Sequence, residues 1–137
     1  MSYLYFIDTG LACSLLGIRL ENELQHSHFR GALFENYVVT ELYKIKFNTG
    51  SATHIFYWRD HKGIEIDILL DSGNALYPIE IKSAQTFQEN QLKAIHQWNG
   101  FSDISGGLLL YDGEQEFVTK DKIIVQNWRS IDKLKIH

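Results

Sequence analysis

Residues 54–82, HIFYWRDHKGIEIDILLDSGNALYPIEIK, contain three runs in which apolar and polar side chains alternate. The runs cover residues 55–59, 64–70 and 76–82, and the turn-forming segments DHKG and DSGN separate them. Alternation with a period of two is typical of β-strands, and short turns rich in glycine and aspartate are typical of a meander. The segment therefore predicts three consecutive strands.

The sequence on either side of these strands predicts helices. Residues 27–47 carry an apolar arc at about 100° per residue, as an amphipathic helix does. The arc consists of Phe34, Val38, Val39, Leu42 and Ile45. Residues 86–100 begin with Thr86 and Glu89 at the spacing of a capping box and end at Gly100. With further strands predicted in GGLLLY, EQEFVT and KIIVQNW, the chain predicts an α/β (α+β) domain with a central mixed sheet.

Composition narrows the class of protein. The 137 residues suffice for a single domain, residues 1–137, with a core of its own. One cysteine, no basic-then-apolar leader and no long apolar run predict a cytoplasmic protein without a membrane partner. A formal charge of −4 is unlike that of a protein that binds nucleic acid through phosphate contacts alone. Phosphate chemistry here would need a bound cation or a basic partner.

Charged residues on two neighbouring strands form the first candidate site. In IEIK, residues 79–82, alternation puts Glu80 and Lys82 on one face of the strand. Asp67 lies between Ile66 and Ile68, so alternation puts it on the face opposite to both. If the two strands pair through the DSGN turn, Asp67 comes beside Glu80, although the register is set by the turn geometry.

Glu35 adds a third carboxylate. It falls in the middle of the apolar arc of the first helix, where a buried charge is costly unless it is paired, hydrogen-bonded or metal-bound. Taken singly, each of these residues is also typical of a solvated strand face or helix end. Three acids that converge repel one another, and a hard cation such as Mg²⁺ would relieve that repulsion. Lys82 would then act as a point charge near a phosphate or an attacking water.

The pattern of Asp67 followed by Glu80-x-Lys82, with Glu35 on the preceding helix, resembles the PD-(D/E)XK (restriction-endonuclease-like) nuclease superfamily, whose core has the order αβββαβ. The segments YFIDTGLACSLLG, RGALFENYVVTEL, FYWRDHKGIEIDILL and PIEIKSAQ look like the uncharacterised C-terminal domain of predicted bacterial and archaeal AAA+ ATPases. The resemblance covers residues 3–111, and Ile66 stands where the superfamily name places proline.

The resemblance implies a metal-dependent nuclease. Asp67 and Glu80 would hold Mg²⁺ or Mn²⁺ with help from the carbonyl of Ile81. Glu35 would be a further ligand or would position water, and Lys82 would orient the attacking water. In that family an ATPase module and a winged-helix segment come first, so residues 1–20 are predicted to be a remnant of the linker from them. The implied partners are nucleic acid and an ATPase, within the same protein or as a separate chain.

Two functions of different class remain open. The set of three acids and a lysine favours a Mg²⁺-dependent nuclease. The acidic net charge favours a non-catalytic module that binds nucleic acid, docks an ATPase or mediates contacts within a homo-oligomer. Arg59 and Lys62 are the local candidates for phosphate contacts. The neighbouring aromatic residues 56–58 suit either base stacking or the core, the core being the more common use.

Two histidines form a weaker candidate metal site. His26 and His28 have a spacing that permits metal binding but is more typical of a solvated turn. His54, His61 and His96 stand alone in the sequence and are predicted to lie at the surface.

Overall fold

The computed structural model describes residues 4–50 and 54–133. Its helices are α1 (Thr9–Leu15), α2 (Glu21–His26), α3 (Arg30–Thr49) and α4 (Lys93–Ser102), with 3₁₀ turns at Glu89–Leu92 and Trp128–Lys133. Its strands are β1 (Ile55–Arg59), β2 (Glu65–Asp71), β3 (Leu76–Lys82), β4 (Gly107–Tyr111), β5 (Phe117–Val118) and β6 (Ile123–Asn127). In this described part of the chain, every helix is too short or too polar to cross a bilayer.

The strands form one sheet in the order β1-β2-β3-β4-β6-β5. β1, β2 and β3 are antiparallel neighbours, as the two polar turns predict. β3, β4 and β6 run parallel, and β5 adds antiparallel to β6. The predicted α/β (α+β) class with a mixed sheet is confirmed, and the order α3-β1-β2-β3-α4-β4 is the expected αβββαβ.

Helices cover both faces of this sheet. On one face, Val38 and Leu42 of α3 pack into a core with Ile79 and Ile81 of β3. On the other face, Ile95 of α4 packs with residues of β4 and β6. Full burial of an aliphatic side chain contributes about 1.5–3 kcal/mol, so these two layers fix the sheet between the helices.

A β-bulge interrupts the pairing of β1 with β2. Between two regular pairs, β1 contributes Tyr57 alone, whereas β2 contributes both Asp67 and Ile68. An extra residue of this kind breaks the alternation and re-aims a side chain. Ile68 packs in the core under α3, but Ile66 packs with Trp98 of α4. The prediction that Ile66 and Ile68 share a face is therefore wrong, and the bulge is the reason.

The helix predicted over residues 86–100 is α4, and it begins later than the sequence predicts. Thr86 lies outside it, and a 3₁₀ turn at Glu89–Leu92 leads into α4. At the start of that turn, the backbone N–H of Gln88 donates to Oε1 of Gln91 at 2.9 Å. A local side-chain bond thus replaces the predicted Thr86–Glu89 cap.

The N-terminal segment is tied to α3 by the buried amide of Asn36. Its Oδ1 accepts from the N–H of Phe6 at 2.7 Å, and its Nδ2 donates to the Phe6 carbonyl at 2.8 Å. These bonds hold the chain before α1 against the helix that carries Glu35. That residues 1–20 derive from a linker stays a prediction.

Candidate functional site

The site lies where β2 and β3 part. Their backbone pairing covers residues 68–71 of β2 and 76–79 of β3. At the next position, hydrogen bonds from backbone N–H groups to carboxylate oxygens link the two strands. The N–H of Ile81 donates to Oδ2 of Asp67 at 2.8 Å, and the N–H of Asp67 donates to Oε1 of Glu80 at 3.4 Å. Each carboxylate thus accepts a hydrogen bond from the backbone of the neighbouring strand. These bonds fix both acids at the parting of the strands.

Lys82 joins the two carboxylates. Its Nζ lies 2.7 Å from Oε2 of Glu80 and 3.6 Å from Oδ2 of Asp67. The exposed fraction is 3% for the Glu80 side chain, 12% for Asp67 and 38% for Lys82, so the cluster opens to solvent on the side of the ammonium group. The structure therefore places the ammonium group of Lys82 between one buried acid, Glu80, and one largely buried acid, Asp67.

Glu35 lies nearby on α3. The hydroxyl of Tyr5 donates to its Oε1 at 2.8 Å. Burial raises the pKa of Glu35, the charge of Asp67 raises it further, and the Tyr5 hydrogen bond opposes both effects. The carboxylate that falls within the apolar arc is thus held by the N-terminal segment, and the charge of Asp67 acts on it.

Burial sets the direction of the pKa shift at both acids of the cluster, but not at Lys82. It raises the pKa of Glu80 to about 7, the charge of Asp67 adds to the shift, and Lys82 opposes it. Burial also raises the pKa of Asp67 against the attraction of Lys82. For Lys82, burial alone would lower the pKa, but the carboxylates of Asp67, Glu80 and Glu35 together raise it. A cation would stabilise the ionised acids, as Lys82 does.

The donor set fits a hard divalent cation held by two carboxylates. Across residues 4–50 and 54–133, no three or more His, Cys, Asp or Glu side chains come close enough together to hold a metal ion. Mg²⁺ is commonly bound through one or two carboxylates, with waters and substrate phosphates completing its shell. Asp67 and Glu80 meet that requirement. Glu35 would act beyond the direct ligands in this geometry, and the carbonyl of Ile81 as a ligand stays a prediction.

Arg59 and Lys62, the predicted phosphate contacts, do not belong to this cluster. Nη1 of Arg59 lies 2.9 Å from Oε1 of Glu65 across the β1–β2 pair, so Glu65 neutralises an arginine at that position. Lys62 is exposed in the turn between these strands. That Arg59 or Lys62 binds phosphate stays a prediction.

The histidines do not gather at one place. His26 and His28 are exposed, and Nδ1 of His26 lies 2.8 Å from the carbonyl of Asn22. His96 faces Asp121 at 3.9 Å. In the described part of the chain, the histidines therefore do not share a metal site.

Sequence reasoning missed two residues beside the cluster. Tyr5 was not singled out, because nothing local links it to Glu35 thirty positions away. Arg30, at the start of α3, donates from Nη1 to the carbonyl of Ser83, the residue after Lys82, at 2.8 Å. Its Nη2 also lies 3.5 Å from Asp112. Arg30 therefore places a guanidinium group next to the end of β3. Its position at the N-terminus of α3 was the sequence feature that could have indicated this role.

A mixed sheet between two helical layers, with acids and a lysine where the pairing of two strands ends, defines an α/β domain with a polar site between the interior strands β2 and β3. The chain belongs to the family described as Domain of unknown function (DUF4143), whose model matches residues 30–131. The match includes Glu35, Asp67, Glu80 and Lys82.

Two bacterial proteins are similar to most of the chain. They are an uncharacterised protein of Mycobacterium tuberculosis and one of Mycobacterium bovis, each 25% identical over 123 residues, which is 88% of this chain. The match covers 26% of each relative, so the chain spans about a quarter of the length of the curated relatives that it matches.

Proposed function

We propose that this protein hydrolyses phosphodiester bonds in nucleic acid with Mg²⁺ or Mn²⁺ at Asp67 and Glu80. The observation that carries the proposal is the convergence of Asp67, Glu80 and Lys82 where β2 and β3 part. The αβββαβ order and the Asp67…Glu80-x-Lys82 pattern support membership of the PD-(D/E)XK superfamily.

The side chains would divide the work. Asp67 and Glu80 are held by hydrogen bonds from the backbone, so their oxygens are preorganised to bind a cation. When bound, the cation supplies charge neutralisation and Lewis-acid polarisation of the phosphate. Lys82 would move from the carboxylates to orient the attacking water, and Glu35, held by Tyr5, would help to position that water.

The reaction consumes one water. The water oxygen forms a new bond to phosphorus, the bond from phosphorus to the leaving ester oxygen breaks, and the proton released from water ends on that oxygen. The products are a phosphate monoester and an alcohol. The site must position the water and bind the cation that offsets the negative charge of the phosphate. Glu35 and Lys82 would do the first, and Asp67 and Glu80 the second.

The net charge of the chain and the length of its relatives suggest a partner. A domain of charge −4 benefits from a basic partner when it binds a polyanion. Because the matched relatives are about four times longer than the matched segment, we propose that an ATPase module in such a protein, or a separate ATPase chain, supplies that surface. We also propose a cytoplasmic location, because the chain has one cysteine and thus no internal disulfide.

The test is cleavage of labelled single-stranded DNA, duplex DNA and RNA with Mn²⁺ or Mg²⁺. We expect cleavage by the wild type that stops in EDTA and falls by about 10²-fold or more in Asp67→Asn and in Lys82→Met. Lys93→Met is the control, because Lys93 is exposed at the start of α4. Cleavage that survives both site changes, or its absence with every substrate, would overturn the proposal.

A non-catalytic module is the second candidate. The ammonium group of Lys82, 2.7 Å from Glu80, already neutralises part of the cluster, and an ion cluster of this kind can be structural. In that case the wild type would bind nucleic acid or an ATPase without cleaving, and the Asp67→Asn change would affect stability alone.

A further inference from the structure

Two arginines share one aspartate at the carboxyl ends of the parallel strands. β3, β4 and β6 run parallel, so their carboxyl ends lie side by side. Arg30 donates from Nη1 to the carbonyl of Ser83, just after β3, and its Nη2 lies 3.5 Å from Oδ2 of Asp112, just after β4. Nη1 of Arg129, two residues after β6, donates to Oδ1 of the same carboxylate at 3.1 Å. One carboxylate therefore faces two guanidinium groups.

The guanidinium group of Arg129 is held in place and is open to solvent. Its Cζ lies 4.6 Å from the centroid of the Trp128 ring, as in a cation–π contact. Nε1 of Trp128 donates to Oδ1 of Asp112 at 2.9 Å, so the ring and the carboxylate are fixed to each other. The side chain of Arg129 is 64% exposed. A guanidinium group has five N–H donors and Asp112 takes up one, so within the described residues the others are available to a ligand.

The N-terminus of α3 adds positive potential at the same place. The partial charge at a helix N-terminus is roughly +0.5, and the first turn of α3 contains no acidic residue to offset it. A Cβ added at Gly31 would lie 3.9 Å from Oγ of Ser83, so this helix end lies against the end of β3. Asp112 supplies one negative charge, which the two arginines and the helix end outweigh. The chain has a formal charge of −4, yet this place is locally positive.

A cavity of about 260 Å³ opens beside the two arginines. The charged side chains in its described lining are Arg30, Arg129 and Asp112, two positive and one negative. Oε1 of Gln25, also in the lining, accepts from Nε of Arg30 at 3.1 Å, which leaves the amide nitrogen of Gln25 as a further donor. Asp112 and Arg129 also border a larger cavity, but Glu114 lines that one. The smaller cavity is therefore the one suited to an anion.

The chemistry of this cavity suits a phosphate group. Arginine binds phosphate through two parallel N–H···O bonds, and the N-termini of helices bind the same group. Pockets for drug-sized ligands measure about 300–1,000 Å³, so a cavity of this size suits a small anion.

The cavity lies a short distance from the acidic cluster. Lys82, Tyr111 and Asn127 are direct neighbours across β3, β4 and β6. Two strand spacings amount to about 10 Å, and each strand of a duplex carries a phosphate about every 3.4 Å along the axis. A nucleic-acid strand with one phosphate at the cluster therefore has another within a few nucleotides that can reach Arg129.

We propose that Arg30, Arg129 and the N-terminus of α3 bind a second phosphate of the nucleic-acid strand whose reacting phosphate lies at Asp67 and Glu80. This inference rests on the proposed function, because the strand that it binds is the one to be cleaved. The binding itself needs neither the cation nor the reaction.

The test measures binding in EDTA by fluorescence anisotropy, with the full chain. The labelled probes are a single-stranded DNA, an RNA of the same sequence, and a DNA strand whose linkages are uncharged methylphosphonates. Arg129→Gln should weaken binding of the first two probes about tenfold, as loss of a charged hydrogen bond does. It should also reduce the slope of log affinity against log salt concentration by about 0.7, the contribution of one phosphate contact on a single strand. The methylphosphonate strand should bind weakly, and equally to the wild type and to Arg129→Gln.

Two matched variants separate a phosphate contact from a general effect of charge. Arg129→Lys keeps the positive charge without the planar fork, so it should keep the salt slope and lose part of the affinity. Lys120→Gln removes an exposed charge before β6, at the end of that strand opposite to Arg129, and should leave the affinity unchanged. Urea unfolding should give nearly the same midpoint for Arg129→Gln and the wild type, because the Arg129 side chain is mostly exposed. If Arg129→Gln failed to fold, the affinity of Arg129→Lys relative to Lys120→Gln would decide the test.

Equal effects of Arg129→Gln and Lys120→Gln on strand binding would overturn the inference. A methylphosphonate strand that binds as tightly as the DNA would overturn it as well. Inorganic phosphate and a mononucleotide, titrated separately by calorimetry, identify the source of the phosphate, and we expect both to bind more weakly than the strand. Binding of either that depends on Arg129, while strand binding does not, would assign the cavity to a free phosphate compound and overturn the assignment to a strand.

The two proposals fail separately. A strand affinity that depends on Arg129, without cleavage under any condition, would remove the nuclease and keep the phosphate site. Cation-dependent cleavage by a protein whose strand affinity is independent of Arg129 would remove the phosphate site and keep the nuclease.

Discussion

At the scale of single residues, Lys82 is the side chain that both acids of the cluster share. Lys82 lies 2.7 Å from Glu80 and 3.6 Å from Asp67, and both acids are largely out of solvent. Buried charges are tolerated when they are paired and hydrogen-bonded, and removal of one partner leaves the others uncompensated. The three residues are therefore coupled in stability as well as in any chemistry they perform.

Replacement of Lys82 by methionine should destabilise the fold. Without the ammonium group, Asp67 and Glu80 must either stay charged and unpaired or take up protons. We expect a loss of about 1–3 kcal/mol in the free energy of unfolding at pH 8, below the cost of a fully buried pair because Lys82 is partly exposed. Urea unfolding measures it, with exposed Lys62→Met as the control. A Lys82→Met variant as stable as that control would show that the ion cluster contributes nothing.

The raised pKa of Glu80 makes stability depend on pH. The folded protein holds this proton up to about pH 7, whereas the ordinary pKa is 4.5, so the folded state binds more protons between these values. The contribution is fully present below pH 4.5 and is lost as the pH rises through about 7. The free energy of unfolding should therefore fall over this range, by an amount on the order of 3 kcal/mol from Glu80.

Glu80→Gln isolates this effect. It carries no titrating proton, so its unfolding free energy in EDTA should depend less on pH between 5 and 7.5 than that of the wild type. Urea unfolding at several pH values gives both curves. Parallel curves would mean that Glu80 ionises in the folded protein much as it does in water.

At the scale of elements, the close approach of α4 to the sheet can be tested directly. A Cβ added at Gly107, the first residue of β4, would lie 2.5 Å from Cγ2 of Ile95 on α4 and 3.2 Å from the carbonyl oxygen of Pro78. No real contact of this kind is tolerated without movement of the helix or strand.

Gly107→Ala should therefore destabilise the protein by about 1–3 kcal/mol, as overpacking does. Gly100→Ala is the matched control, because Gly100 lies in α4 with open space around the added Cβ. Higher helix propensity should make that variant as stable as the wild type or more stable, by up to about 1 kcal/mol. Thermal unfolding of both variants checks the pair. Equal effects of the two changes would contradict the packing of α4 on β3 and β4.

At the scale of the whole molecule, the sequence predicted the frame of the fold and much of the candidate site. The β3 strand was predicted at residues 76–82, as found, because alternation and a polar turn define it locally. The bulge in β2 was not predicted, because it arises from pairing with β1 rather than from the order of residues in β2. The bond from Tyr5 to Glu35 was missed for a similar reason, since tertiary packing alone brings them together. Local pattern thus places residues on elements, while contacts between distant elements complete the site.

We propose that Asp67 and Glu80 together form a divalent cation site. Isothermal titration of Mg²⁺ and Mn²⁺ into the wild type tests it, with Asp67→Asn and with Asp71→Asn as the matched control. Asp71 lies at the opposite end of β2, where its Oδ1 accepts from the N–H of Gly73 at 2.8 Å. We expect one saturable site in the wild type and in Asp71→Asn, and binding at least tenfold weaker in Asp67→Asn. Identical titrations of wild type and Asp67→Asn, or no saturable binding by the wild type, would contradict it.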